Sequence, residues 1–192
     1  MSGFLEKVEL ANDALIALVA DSGPLAAEEV LEALAVHTGW TILDDATATK
    51  ANSTVRVRGA GSISFAKVNG SNHVIGGIYK SGLTWDLSSI DPRRKLVFYV
   101  YLSAVTDVVA VHLKLGTDAS HHMVFTELVA TLAAGWNRVE FPIYGITTSV
   151  GNGWNPAVIA YCAVGVEFSA EDKTLAGILV NYLSVEPPLL TV

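Results

Sequence analysis

Histidine and cysteine are the side chains most often used to bind metals or attack substrates, and this chain has few of them. The pair His121-His122 is the densest such group. Neighbouring residues of a strand point to opposite faces, so the two rings cannot bind one ion from an extended chain. Three further histidines stand alone in the sequence: His37, His73 and His112. Cys162, the only cysteine, lies in an apolar run and is predicted to be a buried, unreactive thiol. No metal site is predicted.

Motifs for nucleophilic or nucleotide chemistry are missing from the sequence. No Gly-x-Ser-x-Gly occurs, and Gly59-Ala60-Gly61 is followed by neither Gly-Lys-Ser/Thr nor a helical pattern. Three acidic residues in turns could contribute to a calcium site, but without a dense Asp/Asn ladder they are interpreted as turn-stabilising residues: Asp86, Asp118 and Asp172. A glycosidase-like pair of carboxylates stays open as an alternative. We predict no catalytic residue and no cofactor, and therefore a protein that is not an enzyme.

Aromatic side chains are the remaining candidates for binding. Trp136, Tyr144 and Trp154 form a candidate ligand platform on which sugar rings could stack, and Trp85 and Tyr161 could extend it. Trp154 lies in the most loop-like setting of these residues. The alternative is that the rings are core or interface anchors, a common role of tryptophan in sandwiches.

The overall composition excludes several classes of protein. Of the 192 residues, 51% are hydrophobic and only 16% are charged, which excludes disorder and suggests apolar surface available for assembly. The net charge of −7 argues against a nucleic-acid partner, since phosphate binding needs clustered Lys and Arg. No stretch approaches the roughly 18 uninterrupted apolar residues of a transmembrane helix, so no membrane partner is predicted. The N-terminus lacks the pattern of a signal peptide, which favours synthesis in a cytoplasm.

The first 38 residues have a pattern of their own. Apolar residues recur at helical spacing up to residue 21, and a second helix is expected to begin near Pro24 and to end by Gly39. Two such helices would form a short N-terminal helical hairpin that must bury its apolar faces against something else. The candidate assembly contacts lie in the first helix and in the C-terminal tail: Phe4, Val8, Leu15, Leu18, Leu189 and Leu190.

From Trp40 onward the sequence predicts β-strands. Apolar residues that alternate with polar ones predict a half-buried strand pattern from Val55 to Phe65. Asn69-Gly70 predicts a hairpin that joins residues 62–68 to 71–79. Further strands are expected at 96–102, 108–115, 122–126, 136–143, 157–168 and 175–185. Eight to ten strands with regular turns indicate an antiparallel two-sheet, jelly-roll-like β-sandwich. The predicted units are a helical arm over 1–38, a sandwich domain over 39–186 and a tail over 187–192.

The order of several motifs resembles a known family. The relevant segments are Gly61-Ser62-Ile63-Ser64-Phe65, Trp85-Asp86-Leu87-Ser88, 96–100, 115–118, Gly135-Trp136-Asn137 and the last two strands. Together they resemble the carbohydrate-binding-module-like β-sandwich of tailed-bacteriophage virion proteins. No residue set matches a defined sugar-binding motif, so the family's sugar sites are not carried over. The helical arm departs from the isolated module and suggests an attachment role.

This resemblance implies two alternative functions. In the first, the protein is a structural capsid decoration (cement) protein of the virion, made in the host cytoplasm. Its partners would be itself, as a homotrimer, and the major capsid protein. In the second, it is a glycan-binding module of a phage tail or adhesion apparatus, with a host glycan as its ligand.

Overall fold

Alternating apolar and polar residues form strands because each apolar side chain then points to one buried face. The computed structural model describes residues 28–44, 50–68, 73–145, 148–151 and 155–187. Within this part of the chain the strands form two six-stranded sheets, in which every paired neighbour is antiparallel. The predicted two-sheet antiparallel sandwich is confirmed.

Sheet I has a five-strand path and one additional strand. In spatial order, the path runs through β3 (Ala51–Ser53), β4 (Ser62–Lys67), β12 (Leu175–Glu186), β6 (Lys95–Leu102) and β9 (Gly135–Pro142). The additional strand, β1 (Glu29–Glu32), pairs with the end of β12 beyond the residues that pair with β4.

Sheet II has a single path of six strands. In spatial order, the path runs through β10 (Thr148–Val150), β8 (His121–Leu128), β7 (Val108–Asp118), β11 (Ile159–Phe168), β5 (Ile75–Trp85) and β2 (Thr41–Asp44). A 3-10 turn over Val129–Thr131 follows β8.

The core lies between the two sheets. Phe141 of sheet I links them, with its ring centroid 5.6 Å from Phe125 of sheet II and 6.3 Å from Phe98 of its own sheet. Cys162 is fully buried there, as predicted, and burial raises the pKa of its thiol well above the usual range. Burying each large apolar side chain stabilises the fold by about 1.5–3 kcal/mol, so these inward faces hold the sandwich together.

The predicted N-terminal helical hairpin is wrong. Its second helix was expected across residues 29–32, but these residues form β1, where Val30 pairs with Ser184. Leu34 is fully buried with a φ of 51°, in the left-handed region that an α-helix cannot include. The unpaired edge of β12 offers hydrogen bonds that outweigh the helix preference of this segment. The first predicted helix lies outside the described residues, which contain no α-helix.

Two local predictions are also wrong in the next part of the chain. Residues 62–67 and 75–85 do not form a hairpin, because β4 lies in sheet I and β5 in sheet II. The link therefore crosses between the sheets, and Asn69-Gly70 lies outside the described residues. Val55 and Val57 are 54% and 42% exposed. They lie in the loop between β3 and β4, because β4 begins only at Ser62.

The later strands follow the sequence prediction closely. β6, β7, β9, β11 and β12 each begin or end within a few residues of the predicted positions. β8 runs longer than expected, over His121–Leu128. No helix in the described residues has the length and apolar character required to cross a bilayer.

Candidate functional site

Each sheet has one inner face toward the core and one outer face, and the outer face of sheet II carries the candidate site. Because Leu113, Phe125 and Val164 point into the core, the residues next to them point outward. This surface, called the sheet II face below, consists of seven side chains on four neighbouring strands: Tyr79, His112, Lys114, His122, Thr126, Tyr161 and Glu167.

The register places these side chains in rows across the sheet. One row runs from Tyr79 through Ala163 and Lys114 to Val124. A parallel row passes from Tyr161 through Gly116 to His122. Small residues, Ala163 and Gly116, therefore alternate with the large ones across the sheet II face.

An aromatic group occupies one side of this face. The Tyr79 and Tyr161 ring centroids are 5.7 Å apart with a 33° tilt, and His122 lies 5.8 Å from Tyr161. Tyr161 is only 2% exposed and His122 6%, whereas Tyr79 is half-buried. Burial raises the pKa of Tyr161 to about 12. Tyr79 is therefore the ring available to a ligand, and Tyr161 and His122 support it.

His112 forms the centre of a polar row on the same face. Its Nε2 lies 2.7 Å from Glu167 Oε2 and its Nδ1 lies 3.0 Å from Thr126 Oγ1. Burial lowers the pKa of His112, and the charge of Lys114 lowers it further, although Glu167 opposes the shift. The neutral ring then donates from Nε2 to Glu167 and accepts at Nδ1 from the Thr126 hydroxyl. This leaves the second Glu167 oxygen available for the hydroxyl groups of a ligand.

The outer face of sheet I differs because its charges bind one another. Glu186 accepts from Arg58 at 3.1 Å and from Arg138 at 2.9 Å. Glu140 accepts from Lys95 and Arg138; burial acts against its charged form, but these hydrogen bonds outweigh it and lower the pKa of Glu140. The guanidinium of Arg58 also lies 5.5 Å from the Tyr99 ring. Few polar groups of this cluster remain available for a ligand.

A loop also covers part of the sheet I face. The fully buried Asn181 side chain accepts from the N–H groups of Val57 and Arg58 at 3.3 and 3.0 Å. It donates to the carbonyl groups of Arg58 and Gly61 at 3.1 and 2.6 Å. Asn181 therefore fixes the loop over residues 54–61 against the sheet.

Two of the three residues predicted as a ligand platform, Trp136 and Tyr144, lie far apart. Trp136 lies at the start of β9 and packs edge-on against Tyr101, with centroids 5.6 Å apart. Tyr144 is 48% exposed just beyond the other end of this strand, roughly 20 Å away at about 3.3 Å per residue. Trp154 lies outside the described residues, as do all six candidate assembly contacts: Phe4, Val8, Leu15, Leu18, Leu189 and Leu190. A ligand-binding role for the three platform residues stays a prediction.

The histidine pair is arranged as the strand geometry requires. His121 is half-buried and its Nδ1 lies 2.9 Å from Asp118 Oδ1, whereas His122 is buried beside Tyr161. Among the described residues, no group of three or more His, Cys, Asp or Glu side chains is placed to hold a metal ion.

Sequence reasoning missed most of the sheet II face. Tyr161 was named as a possible platform residue, but Tyr79, Lys114 and Glu167 were not, and His112 was regarded as isolated. The signal that could have found them is the alternation along the strands, which places His112 and Lys114 on the face opposite Val111 and Leu113. Knowing which strands are neighbours was also necessary.

Comparisons with known proteins place the fold. No protein-family model matches the chain, and no curated protein gives a significant match. Among solved structures, the chain is similar to the family 11 carbohydrate-binding module of Clostridium thermocellum in complex with a β-1,3-1,4-mixed-linked tetrasaccharide. The TM-score is 0.59 at 12% identity, over 85% of this chain and 98% of that module. The fold is that of a carbohydrate-binding module.

Two further structures support the same conclusion about the fold. A family 30 carbohydrate-binding module gives a TM-score of 0.59 at 12% identity and covers 85% of this chain and 100% of the module. An exo-β-agarase gives a TM-score of 0.55 at 11% identity over 83% of this chain, but the match covers only 24% of that enzyme. The sandwich therefore corresponds to whole binding modules and to one part of a larger enzyme.

Proposed function

We propose that the chain is a non-catalytic glycan-binding module and that it binds its ligand on the sheet II face. The observation that carries the proposal is the half-buried Tyr79 ring beside the row of His112, Thr126 and Glu167. A sugar ring has an apolar C–H face and a rim of hydroxyl groups. An aromatic ring packs against the first, and the second oxygen of Glu167 and the Thr126 hydroxyl exchange hydrogen bonds with the second, while His112 positions both groups.

The fold supports this assignment. The solved structures with this fold include modules named for carbohydrate binding, one of them holding a tetrasaccharide. At 12% identity the likeness concerns the fold, so the binding residues proposed here come from this chain's own surface. A binding site on a rigid sheet also needs little reordering when a ligand arrives, which lowers the entropic cost of binding.

The capsid-decoration interpretation has less support than the glycan-binding alternative. It relied on an N-terminal helical arm, and the second helix of that arm is strand β1. The homotrimer, the major capsid protein as partner and the location in a virion stay predictions, as does a phage tail as the setting of the glycan-binding alternative.

Affinity electrophoresis in gels that contain polysaccharides tests the proposal. The gels should include mixed-linkage β-glucan, agarose-type galactans and bacterial surface polysaccharides. We expect Tyr79→Ala to weaken retention by the retarding polysaccharide at least tenfold, because the exposed stacking surface is lost. Tyr101→Ala is the matched control, since Tyr101 is a half-buried tyrosine on the outer face of sheet I.

The two variants separate the two faces. If Tyr101→Ala weakens binding and Tyr79→Ala does not, the site is the surface around Trp136 and the proposal is wrong. If no polysaccharide retards the unmodified protein, the glycan-binding function itself is contradicted. Circular dichroism of both variants confirms that the fold is intact.

A further inference from the structure

Lys114 places a positive charge on the sheet II face, which also carries the carboxylate of Glu167. It is half-buried near the middle of β7, and no ion pair joins it to a carboxylate among the described residues. Two carboxylates on or beside this face have other partners: one oxygen of Glu167 binds His112, and Asp118 binds His121 and the N–H of Ser120. The chain as a whole has a net charge of −7, so this local positive charge runs against the overall balance.

Lys114 and Tyr79 lie close together across the sheet II face. The two residues occupy one row on strands β7 and β5, separated only by Ala163 on β11. Two strand spacings of about 4.8 Å place their backbones roughly 10 Å apart. Ala163 carries only a methyl group and is fully buried beneath the side chains that flank it. A sugar ring on Tyr79 would then extend over Ala163 and bring a substituent within reach of the Lys114 ammonium group.

The neighbours of Lys114 act as neutral groups rather than as further cations. Burial, followed by the charge of Lys114, lowers the pKa of His122, and Lys114 also contributes to the lowered pKa of His112. Both rings are therefore uncharged at neutral pH. Lys114 is then the one fixed positive charge of the seven side chains that define the face.

We propose that the glycan bound by this face is acidic, and that Lys114 binds its carboxylate or sulfate group. This inference rests on the proposed glycan-binding function and adds the chemical class of the ligand. A lysine ammonium group is a compact point charge with three donors, which suits either anion. Exposed charges are screened by salt, so the contact should weaken as ionic strength rises.

Matched glycans and matched variants test this inference. An array should carry polygalacturonate beside its methyl ester, and unsulfated chondroitin beside chondroitin sulfate, together with neutral glucans and galactans. The methyl ester keeps the polygalacturonate backbone and removes its charge. We expect the unmodified protein to bind acidic members at least tenfold more tightly than their neutral counterparts. The chondroitin pair shows whether sulfate strengthens binding beyond the uronate carboxylate.

Lys114→Met should weaken binding of the acidic glycan at least tenfold and flatten its dependence on salt, because methionine keeps much of the apolar stem but removes the charge. Lys173→Met is the control, since it removes the same charge from the connection between β11 and β12. Glycan binding that is confined to neutral members, or that survives Lys114→Met unchanged, overturns the acidic-ligand inference but leaves the glycan-binding function intact. If the protein binds no glycan on the array, both the acidic-ligand inference and the glycan-binding function are contradicted.

Discussion

The outer faces of the two sheets both carry polar side chains but use them differently. On sheet I, Arg58 and Arg138 meet at Glu186, and Asn181 fixes a loop across the face. On sheet II, Tyr79 and Lys114 stay half-buried, and the structure records no hydrogen bond or ion pair between either side chain and another described residue. Both faces belong to one sandwich, so the difference lies in the side chains rather than in the backbone.

This difference distinguishes polar side chains that hold the fold together from polar side chains that are available to a ligand. A polar group that already has its partners gains little from a ligand, because it must exchange one hydrogen bond for another. A half-exposed ring and an unpaired ammonium group lose only water. The sheet I face is therefore interpreted as part of the scaffold, and the sheet II face as the binding surface.

The largest expected effect comes from the close packing of strands in sheet II. A methyl group on Gly77 would lie 2.3 Å from the Val164 carbonyl oxygen and 2.8 Å from the Gly165 Cα, both backbone atoms. Gly77→Ala should therefore reduce the free energy of unfolding by about 3 kcal/mol or more. Gly165→Ala is the comparison, because its methyl group meets the Ile75 side chain, and it should cost about 1 kcal/mol. Urea unfolding of both variants measures the difference, and equal losses would contradict it.

A smaller effect is expected from the loop clamp on sheet I. Asn181→Ala removes four hydrogen bonds to the loop and should reduce the free energy of unfolding by about 2 kcal/mol. Trypsin should then cleave faster after Arg56 and Arg58, as mass spectrometry of the fragments would show. Glycan binding should not change, because the loop lies on the other sheet. Loss of glycan binding in the folded variant would contradict the separation of the two faces.

The smallest effect is a pH dependence from the buried histidines of the sheet II face. The pKa values of His112 and His122 are lowered by burial, so the unfolded chain binds protons more readily than the folded one. Stability is therefore greatest above the ordinary histidine pKa of about 6.5 and falls as the pH drops below it. The lowered pKa values of Asp86, Asp91 and Glu140 act only at lower pH, because their ordinary values are 3.8 to 4.5.

Thermal unfolding at pH 7 and pH 5 measures this dependence. His112→Gln should reduce the loss of stability at pH 5, since glutamine can still bond to Thr126 and Glu167 but does not titrate. His73→Gln is the control, because His73 is exposed. An identical pH profile for all three proteins would contradict the role of His112.

The extent to which the sequence predicts the structure differs between the fold and the site. Long strands such as β6 and β12 were predicted nearly to the residue, because their apolar patterns are strong over many positions. The segment of β1 was predicted as helix because its local residues favour helix, while its pairing with β12 depends on residues more than 150 positions away. Asn69-Gly70 indicated a local hairpin, but the two flanking strands find partners in different sheets.

The candidate site was harder to predict for the same reason. Tyr79, Lys114 and Glu167 lie on three different strands and come together only through the pairing of β5, β11 and β7. Aromatic type alone drew attention to Trp136, whose ring packs on Tyr101 on the opposite face of the sandwich. Residue type indicates possible chemistry, but the cross-strand register decides which groups share a surface.

Mapping the binding surface by NMR tests the central claim most directly. Amide chemical shifts should be followed while the retarding glycan is titrated into the ¹⁵N-labelled protein. The sheet II face predicts that the largest changes cluster at Tyr79, His112, Lys114 and Thr126, with little change at Arg58, Tyr101 and Arg138. Changes concentrated on the second set would place the ligand on sheet I and contradict the account.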